Sequence, residues 1–307
     1  MNNNIIVIFL LFLTNCKTNQ TGTKLNTEPI IISGFTNPES VCQDGNSLYV
    51  ANISGSGKKG YISKVNLADP SVKDTHFLPA DNQFIQADGP MGTIVVGNSL
   101  YMVCGNLVIG FNLKTRQKIF EFNVPDTSRL NDLCYVNGSL YLSSTDLGNI
   151  FELNLKNKSC KPLITDENER KKLNGINGLV YDAKRNRFFA TANKNNTAPS
   201  SLIMIDFKTK RIDIIFEKEK GLFLDGMTIS DQSLYFVNWN KQLFSIVISK
   251  LTEGTVLSPI KDIALPSLIV NSEGNGTSDI ILSRDKKNYI YTLFSKGQIV
   301  ISPVKIN

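Results

Sequence analysis

The sequence predicts an all-β chain folded as a six-bladed β-propeller with four-stranded blades, the last blade closed by an N-terminal strand. Three observations predict it. Helical periodicity is nearly absent, and short apolar segments bounded by Gly, Asn and Asp dominate. A turn followed by a small, apolar and aromatic strand recurs as GNSLYVAN, GNSLYMVC, NGSLYLSS, RNRFFATA, DQSLYFVN and, more weakly, KNYIYTLF. The equivalent positions Leu48, Leu100, Leu140, Phe188, Leu234 and Ile290 lie about 48 residues apart on average, the length of a four-stranded blade.

Each repeat extends in the same way. An apolar segment precedes the turn: PESVCQ, MGTIVV, LNDLCYV, INGLVYD, DGMTIS and SDIILS. A third strand follows the aromatic one, as in GYISKVNL, LVIGFNL and GNIFELNL, and a fourth follows in five repeats, most clearly TRQKIFEFNV. The sixth repeat ends at Asn307 after three strands, and Pro29 to Ser33 can supply the missing one. Such a closure leaves no open sheet edge at the junction of the chain ends.

Ahead of the repeats, Ile5 to Leu13 is an apolar run too short to span a bilayer. It fits the apolar core of a signal peptide, although the preceding MNNN carries no Lys or Arg. Leu13-Thr14-Asn15-Cys16 looks like a bacterial lipoprotein signal, with a Leu three residues before the Cys. The expectation is a signal over 1–16 with Cys16 lipidated, a polar tether over 17–28 and a propeller over 29–307. The protein would then be exported and held by its lipid, periplasmic or at an outer membrane. An ordinary secretory signal, giving a periplasmic or secreted protein, and an unprocessed anchor are the alternatives.

Bulk properties narrow the chemistry. The chain has 307 residues, 41% hydrophobic, and a net charge of +6. Its densest basic runs, Lys58-Lys59 and Arg170-Lys171-Lys172, are short enough to be solvated loop charges, so no nucleic-acid partner is expected. The single histidine, His76, excludes a Ser-His-Asp triad or His-rich metal site that does not use it, and any His dyad. It falls in an outer strand. Cys42, Cys104, Cys134 and Cys160 are widely spaced without a CxxC pair, which argues against zinc or a disulfide scaffold. Cys42 and Cys134 occupy equivalent strand positions and read as buried small hydrophobes.

The repeat phase carries the sharper signal. In a propeller the first strand of each blade lines the central channel, so equivalent residues at the strand starts meet at one mouth. Those residues are Glu39, Met91, Asn131, Asn177 and Asp225, with Ser278-Asp279-Ile280 at the sixth place. Glu39, Asn131, Asn177 and Asp225 bring two carboxylates and two amide carbonyls, a donor set that suits a hard divalent cation, calcium first, with Zn, Mg or Mn as alternatives. Asn177-Gly178 and Asp225-Gly226 are also strong turn signals, and each residue has a plain structural reading.

The motifs Pro38-Glu39-Ser40-Val41, Arg129-Leu130-Asn131-Asp132, Asn177-Gly178-Leu179 and Asp225-Gly226-Met227, in this order, resemble the family of senescence marker protein, gluconolactonase and luciferin-regenerating enzyme. The resemblance covers about residues 29–306. It implies a six-bladed propeller with a divalent metal on Glu39, Asn131, Asn177 and Asp225, and substrate contacts from Arg129 and Asn131. The second repeat departs from the family: it has Gly89-Pro90-Met91-Gly92 where many relatives carry Pro-Lys-Gly-Met. The ligand set therefore carries over more directly than the substrate.

The expected function is a divalent-metal-dependent hydrolase of a lactone or related small ester, monomeric and lipid-anchored. Asp225, or a neighbouring carboxylate such as Asp132 or Asp279, would be the general base. Arg129 would position a substrate carboxylate or hydroxyl. Asn52, Asp146, Asn193, Asn238 and Trp239 fall in loops on the same face, where Trp239 would stack on a sugar-like ring or pack within its loop. The competing readings are a non-enzymatic propeller that binds a small ligand or protein partner around a structural metal, and a lyase or synthase on the same fold.

Overall fold

The computed structural model describes residues 28–54, 59–80, 85, 89–194, 199–218, 223–239, 242–250 and 276–304. The expected signal and lipidation site at Cys16, and the tether up to residue 27, lie outside the described residues.

The described residues are all-β apart from one short helix, α1 (Glu167–Lys171), and two 3-10 turns. Six antiparallel sheets follow one another as blades. Blade one comprises β2 (Pro38–Asp44), β3 (Ser47–Ser54), β4 (Lys59–Asn66) and β5 (Lys73–Leu78). Blade two comprises β6 (Thr93–Val96), β7 (Ser99–Cys104), β8 (Leu107–Asn112) and β9 (Lys118–Asn123). Blade three comprises β10 (Leu130–Val136), β11 (Ser139–Ser144), β12 (Asn149–Asn154) and β13 (Cys160–Pro162). Blade four comprises β14 (Ile176–Asp182), β15 (Arg187–Asn193), β16 (Ser200–Asp206) and β17 (Ile212–Lys218). Blade five shows β18 (Leu224–Ile229), β19 (Ser233–Asn238) and β20 (Gln242–Val247) among the described residues. Blade six comprises β21 (Ile280–Leu282), β22 (Asn288–Leu293) and β23 (Gln298–Pro303), and its fourth strand is β1 (Ile30–Ser33).

The closure is as the sequence predicts. β1 pairs antiparallel with β23, from Ile30↔Ile301 to Ser33↔Gln298. Ile32 points inward, 5% exposed, and joins Val41, Leu48, Ile290 and Ile299 in the cluster between blades one and six, while Ile31 is 42% exposed.

Six apolar clusters fill the six blade interfaces. This explains the recurring aromatic strand. The second strand of a blade buries both faces, so alternate residues serve different interfaces. In β11, Leu140 and Leu142 pack towards blade two and Tyr141 towards blade four. All six residues of that strand are buried. Cys42, Cys104 and Cys134 are free and buried in these clusters, and burial raises their thiol pKa values. His76 sits on the outer strand β5 and stacks on Tyr61 at 4.5 Å.

One register differs from expectation. The pairings Ile280↔Tyr291 and Leu133↔Leu142 make Tyr289, not Ile290, the counterpart of Leu140. The longer hairpin of the sixth repeat hides this shift in the sequence.

At the channel, a ring of hydrogen bonds joins every blade to the next. Thr93 N donates to Ser40 Oγ (3.2 Å), Gly92 N to Asn131 O (2.7 Å) and Leu179 N to Asp132 Oδ2 (2.8 Å). Thr191 Oγ1 donates to Asp225 O (2.7 Å), Gly226 N to Ser278 O (2.8 Å) and Val41 N to Asp279 Oδ2 (3.0 Å). Main chains come so close that a Cβ on Gly178 would lie 2.6 Å from Asp225 O, and one on Gly226 2.6 Å from Asp279 Cα. Neither glycine is among those with positive φ. Asn177-Gly178 and Asp225-Gly226 are therefore strand segments, not turns, and the glycine admits the next blade.

Two outcomes test this packing. Ile32→Ala should cost about 2–4 kcal/mol in denaturant unfolding, and Ile31→Ala less than about 1 kcal/mol. Equal effects would contradict closure by β1. Gly178→Ala should cost about 1–3 kcal/mol, because the blocking atom is backbone; an unchanged melting temperature would contradict the close approach.

Candidate functional site

Glu39, Asn131, Asn177 and Asp225 each stand second in the inner strand of their blade, on β2, β10, β14 and β18. Each sits at a break in strand register: between Pro38 and Ser40, Leu130 and Leu133, Ile176 and Leu179, and Leu224 and Met227. Such a bulge frees the residue from the ladder and re-aims its side chain. Here it turns the side chains of four blades to the channel axis. They line one small space with Met91 and Ser278 from the remaining blades. Its volume is about 10 Å³, room for a water-sized body. The six repeat positions thus converge as the sequence predicts.

The residues one step further along are Ser40, Gly92, Asp132, Gly178, Gly226 and Asp279, and they too line this space. The proposed role of Asp132 or Asp279 as general base is not what the structure favours. Asp132 Oδ1 accepts from Leu133 N and Oδ2 from Leu179 N, both at 2.8 Å. Asp279 accepts from Ile280 N (2.7 Å), Val41 N (3.0 Å) and Ser40 Oγ (2.9 Å). Both carboxylates are fastened to the backbone of their own and the next blade, so they act as clamps.

Sequence reasoning missed the hydroxyls that support the ring. Ser143 Oγ accepts from Asp132 N (2.9 Å) and donates to Asn177 O (2.6 Å). Thr191 Oγ1 likewise accepts from Gly178 N (2.8 Å) and donates to Asp225 O. Thr292 Oγ1 accepts from Asp279 N (2.9 Å). The signal was present: Ser143, Thr191 and Thr292 hold the same place on the second strand of blades three, four and six, where the other blades carry an apolar residue.

Electrostatics set this space apart. Glu39, Asp132, Asp225 and Asp279 place four carboxyls around it. Burial raises the pKa of all four, and repulsion from Asp279 adds to the rise at Glu39, Asp132 and Asp225. Asp225, 5% exposed, is pushed well above the usual carboxylate range by burial, with Glu39, Asp279 and Asp132 adding to it. Arg129 alone supplies positive charge among the described lining residues, and it lowers the Glu39 pKa against the larger effect of burial. The Asn177 side chain lowers the Asp225 pKa against the larger effect of burial, while its own Oδ1 is buried without any hydrogen-bond partner. An orphaned carbonyl oxygen beside crowded carboxylates is an arrangement that a hard cation completes. Among the described residues no three His, Cys, Asp or Glu side chains form a metal cage by themselves. The set depends on its two amides.

Outward from this floor opens a cavity of about 480 Å³. Glu39, Asn131, Asn177 and Asp225 form its base, Arg129 lies at its side, and Phe223, Trp239 and Phe294 stand in its wall. Trp239 packs against Phe294, with ring centroids 5.2 Å apart. Of the four polar residues expected in loops, Asn52, Asn193 and Asn238 instead stand at or near the ends of β3, β15 and β19 and only Asp146 lies in a turn, and all four serve the scaffold. Asn52 Oδ1 accepts from Thr36 N (2.9 Å), Asp146 Oδ2 from Ser128 N (2.6 Å), Asn193 Oδ1 from Leu224 N (3.0 Å) and Asn238 Oδ1 from Phe223 N (2.8 Å). Each pins the chain at the entry to an inner strand.

No protein-family model matches the chain, and no curated protein is similar to it in sequence. Solved propellers are similar in fold. The RRP9 WD40 repeats align with a TM-score of 0.62 at 9% identity, over 91% of this chain and 98% of that one. The Myceliophteria thermophila Cps50 (Swd1) β-propeller domain gives 0.58 at 11% identity, over 91% and 100%. A chain of a nidogen/laminin complex gives 0.55 at 15% identity, over 72% and 80%. At such identities the likeness establishes the β-propeller fold.

Proposed function

We propose that the protein is a divalent-metal-dependent hydrolase of a lactone or related small ester, with a gluconolactonase-like site. The observation that carries this reading is the meeting of Glu39, Asn131, Asn177 and Asp225 at the base of a ligand-sized cavity, with Asn177 Oδ1 left unpaired. These four side chains would hold the cation, calcium being the best match to two carboxylates and two amide carbonyls. When bound, it supplies Lewis acidity and counter-charge for the oxyanion of ester hydrolysis.

The chain's own residues divide the remaining work. Asp225 lies where floor and cavity meet, and its carboxylate takes the proton of the attacking water. Arg129 donates from the cavity side and orients a carboxylate or hydroxyl of the substrate. Asn131 faces both the floor and the cavity and steers the reacting group towards the base. The aromatic wall limits water around the reacting bond. The same reading makes the protein a monomer, exported and tethered by lipid at Cys16. No helix among the described residues is long and apolar enough to cross a membrane.

Hydrolysis of a lactone panel by chelated and cation-restored protein tests the reading. Chelation should abolish turnover. Asp225→Asn should lower kcat at least about 100-fold, and both it and Glu39→Gln should remove the thermal stabilisation given by added calcium. Turnover indifferent to chelation and to both substitutions would sink the hydrolase. Tight cation binding without turnover on any lactone would support a ligand-binding propeller with a structural metal instead. Palmitate labelling that is lost in Cys16→Ser supports the anchor, and its persistence refutes it.

The crowded carboxyls add a pH dependence to the metal-free protein. A carboxyl whose folded-state pKa exceeds its unfolded value binds more protons when folded, so stability falls as pH rises between the two values. For Glu39 that window runs from 4.5 to about 7. For Asp132 it runs from 3.8 to about 7. The melting temperature in chelator should therefore fall as pH rises through this window, and calcium should restore most stability at its upper end. A melting temperature in chelator that stays flat or rises there would contradict the charge crowding.

A further inference from the structure

We infer that the cavity takes a lactone or ester with an aliphatic or aromatic body, or the hydroxy acid it yields, and discriminates against polyhydroxylated sugar lactones. This rests on the proposed function for the reacting group, and on the wall of the cavity for the rest of the molecule.

The volume, about 480 Å³, lies in the range of small-molecule pockets. Its described wall is apolar on several sides: Ile53 from blade one, Met91 from blade two, Phe223 and Trp239 from blade five and Phe294 from blade six. The aromatic part is built in. A Cβ on Gly276 would lie 2.4 Å from the Trp239 ring, so this glycine lets the indole seat against the backbone, where it also packs against Phe294.

The polar side chains of the described wall have little left to offer a ligand. Thr145 Oγ1 donates its proton to Ile176 O at 2.7 Å. Asn193 Oδ1 accepts from Leu224 N and from Ser200 Oγ, and Asn193 Nδ2 donates to Leu224 O at 2.6 Å. Uncommitted polar chemistry is confined to the floor and to Arg129, which has no ion pair among the described residues. A ring carbonyl meets the floor, and a single anionic or carbonyl group meets Arg129. The several hydroxyls of a sugar lactone would be desolvated against Ile53, Met91 and the aromatic rings without partners, and unpaired hydroxyls are what a pocket rejects most strongly.

Trp239 is the only tryptophan in the chain, so its emission reports this cavity directly. The full-length protein is titrated with octanoate and with gluconate, which need neither turnover nor metal. Octanoate should shift the emission saturably, with an affinity at least ~10-fold above that of gluconate. Arg129→Ala should weaken octanoate by about 10-fold. Gluconate binding as tightly as octanoate, or no saturable response to octanoate, overturns the inference. In hydrolysis, δ-octalactone should exceed δ-gluconolactone in kcat/KM; the reverse order overturns the inference while leaving the hydrolase standing. Saturable octanoate binding with no turnover of either lactone removes the hydrolase and upholds the ligand class.

Discussion

The structure depends on how closely six inner strands can approach one axis. At the strand starts the backbones touch: Gly92 N donates directly to Asn131 O, and Gly226 N to Ser278 O. Six side chains do not fit at that level. Blades two, four and five place Gly92, Gly178 and Gly226 there, blades one, three and six Ser40, Asp132 and Asp279, and the side chains present reach across to the neighbouring blade. The bulge one residue earlier is the other half of the same solution. It takes Glu39, Asn131, Asn177 and Asp225 out of the ladder and sends them towards the axis. Inter-blade hydrogen bonding and the oxygen-donor ring thus come from adjacent residues of the same strands. A substitution at one will disturb the other, as for residues that share one hydrogen-bond network.

That coupling explains what could be read in the sequence. Blade number, strand order and closure by Pro29 to Ser33 were legible because each second strand must bury both faces, which imposes a strong apolar pattern. The convergence of Glu39, Asn131, Asn177 and Asp225 was legible because repeat phase fixes their level along the axis. The fate of their neighbours was not. Asp132 and Asp279 look like free carboxylates in a linear chain, and only the adjacent blade shows that Leu179 N and Val41 N claim them. The Asn-Gly and Asp-Gly pairs read equally well as turns, because the demand for a missing Cβ comes from another blade. The one-residue slip at Tyr289 arose where hairpin length varies and the motif is weakest.

Charge at the floor follows from the same crowding. Four buried carboxyls share a narrow space with one arginine nearby; Asp279 raises the pKa of the other three, and Glu39 and Asp132 add to the rise at Asp225. Two of them are offset by backbone N–H groups, as the contacts of Asp132 and Asp279 show. Glu39 and Asp225 have no comparable set of donors. Ser278 assists the first and Asn177 the second. The floor therefore separates into a clamped pair that secures the blades and a strained pair that gains most from a positive charge. Buried carboxylates left without compensation are costly, so the strained pair needs a functional reason to persist.

Floor and wall of the site have different origins in the chain. The floor is written by the repeat: the same position in successive blades, aimed by the same bulge. The wall is written by residues outside that pattern, with Phe223 just ahead of β18, Trp239 just after β19 and Phe294 just after β22. Its polar members are spent on the scaffold, because Thr145 and Asn193 tie one blade to the start of the next. A propeller of this kind can thus change what it binds by exchanging a few loop-edge aromatics, while the strand starts that hold the blades together keep the donor ring unchanged. The donor ring bears on reaction type and the wall on ligand class. A sequence in which repeat phase is strong and loop identity is weak will disclose the first before the second.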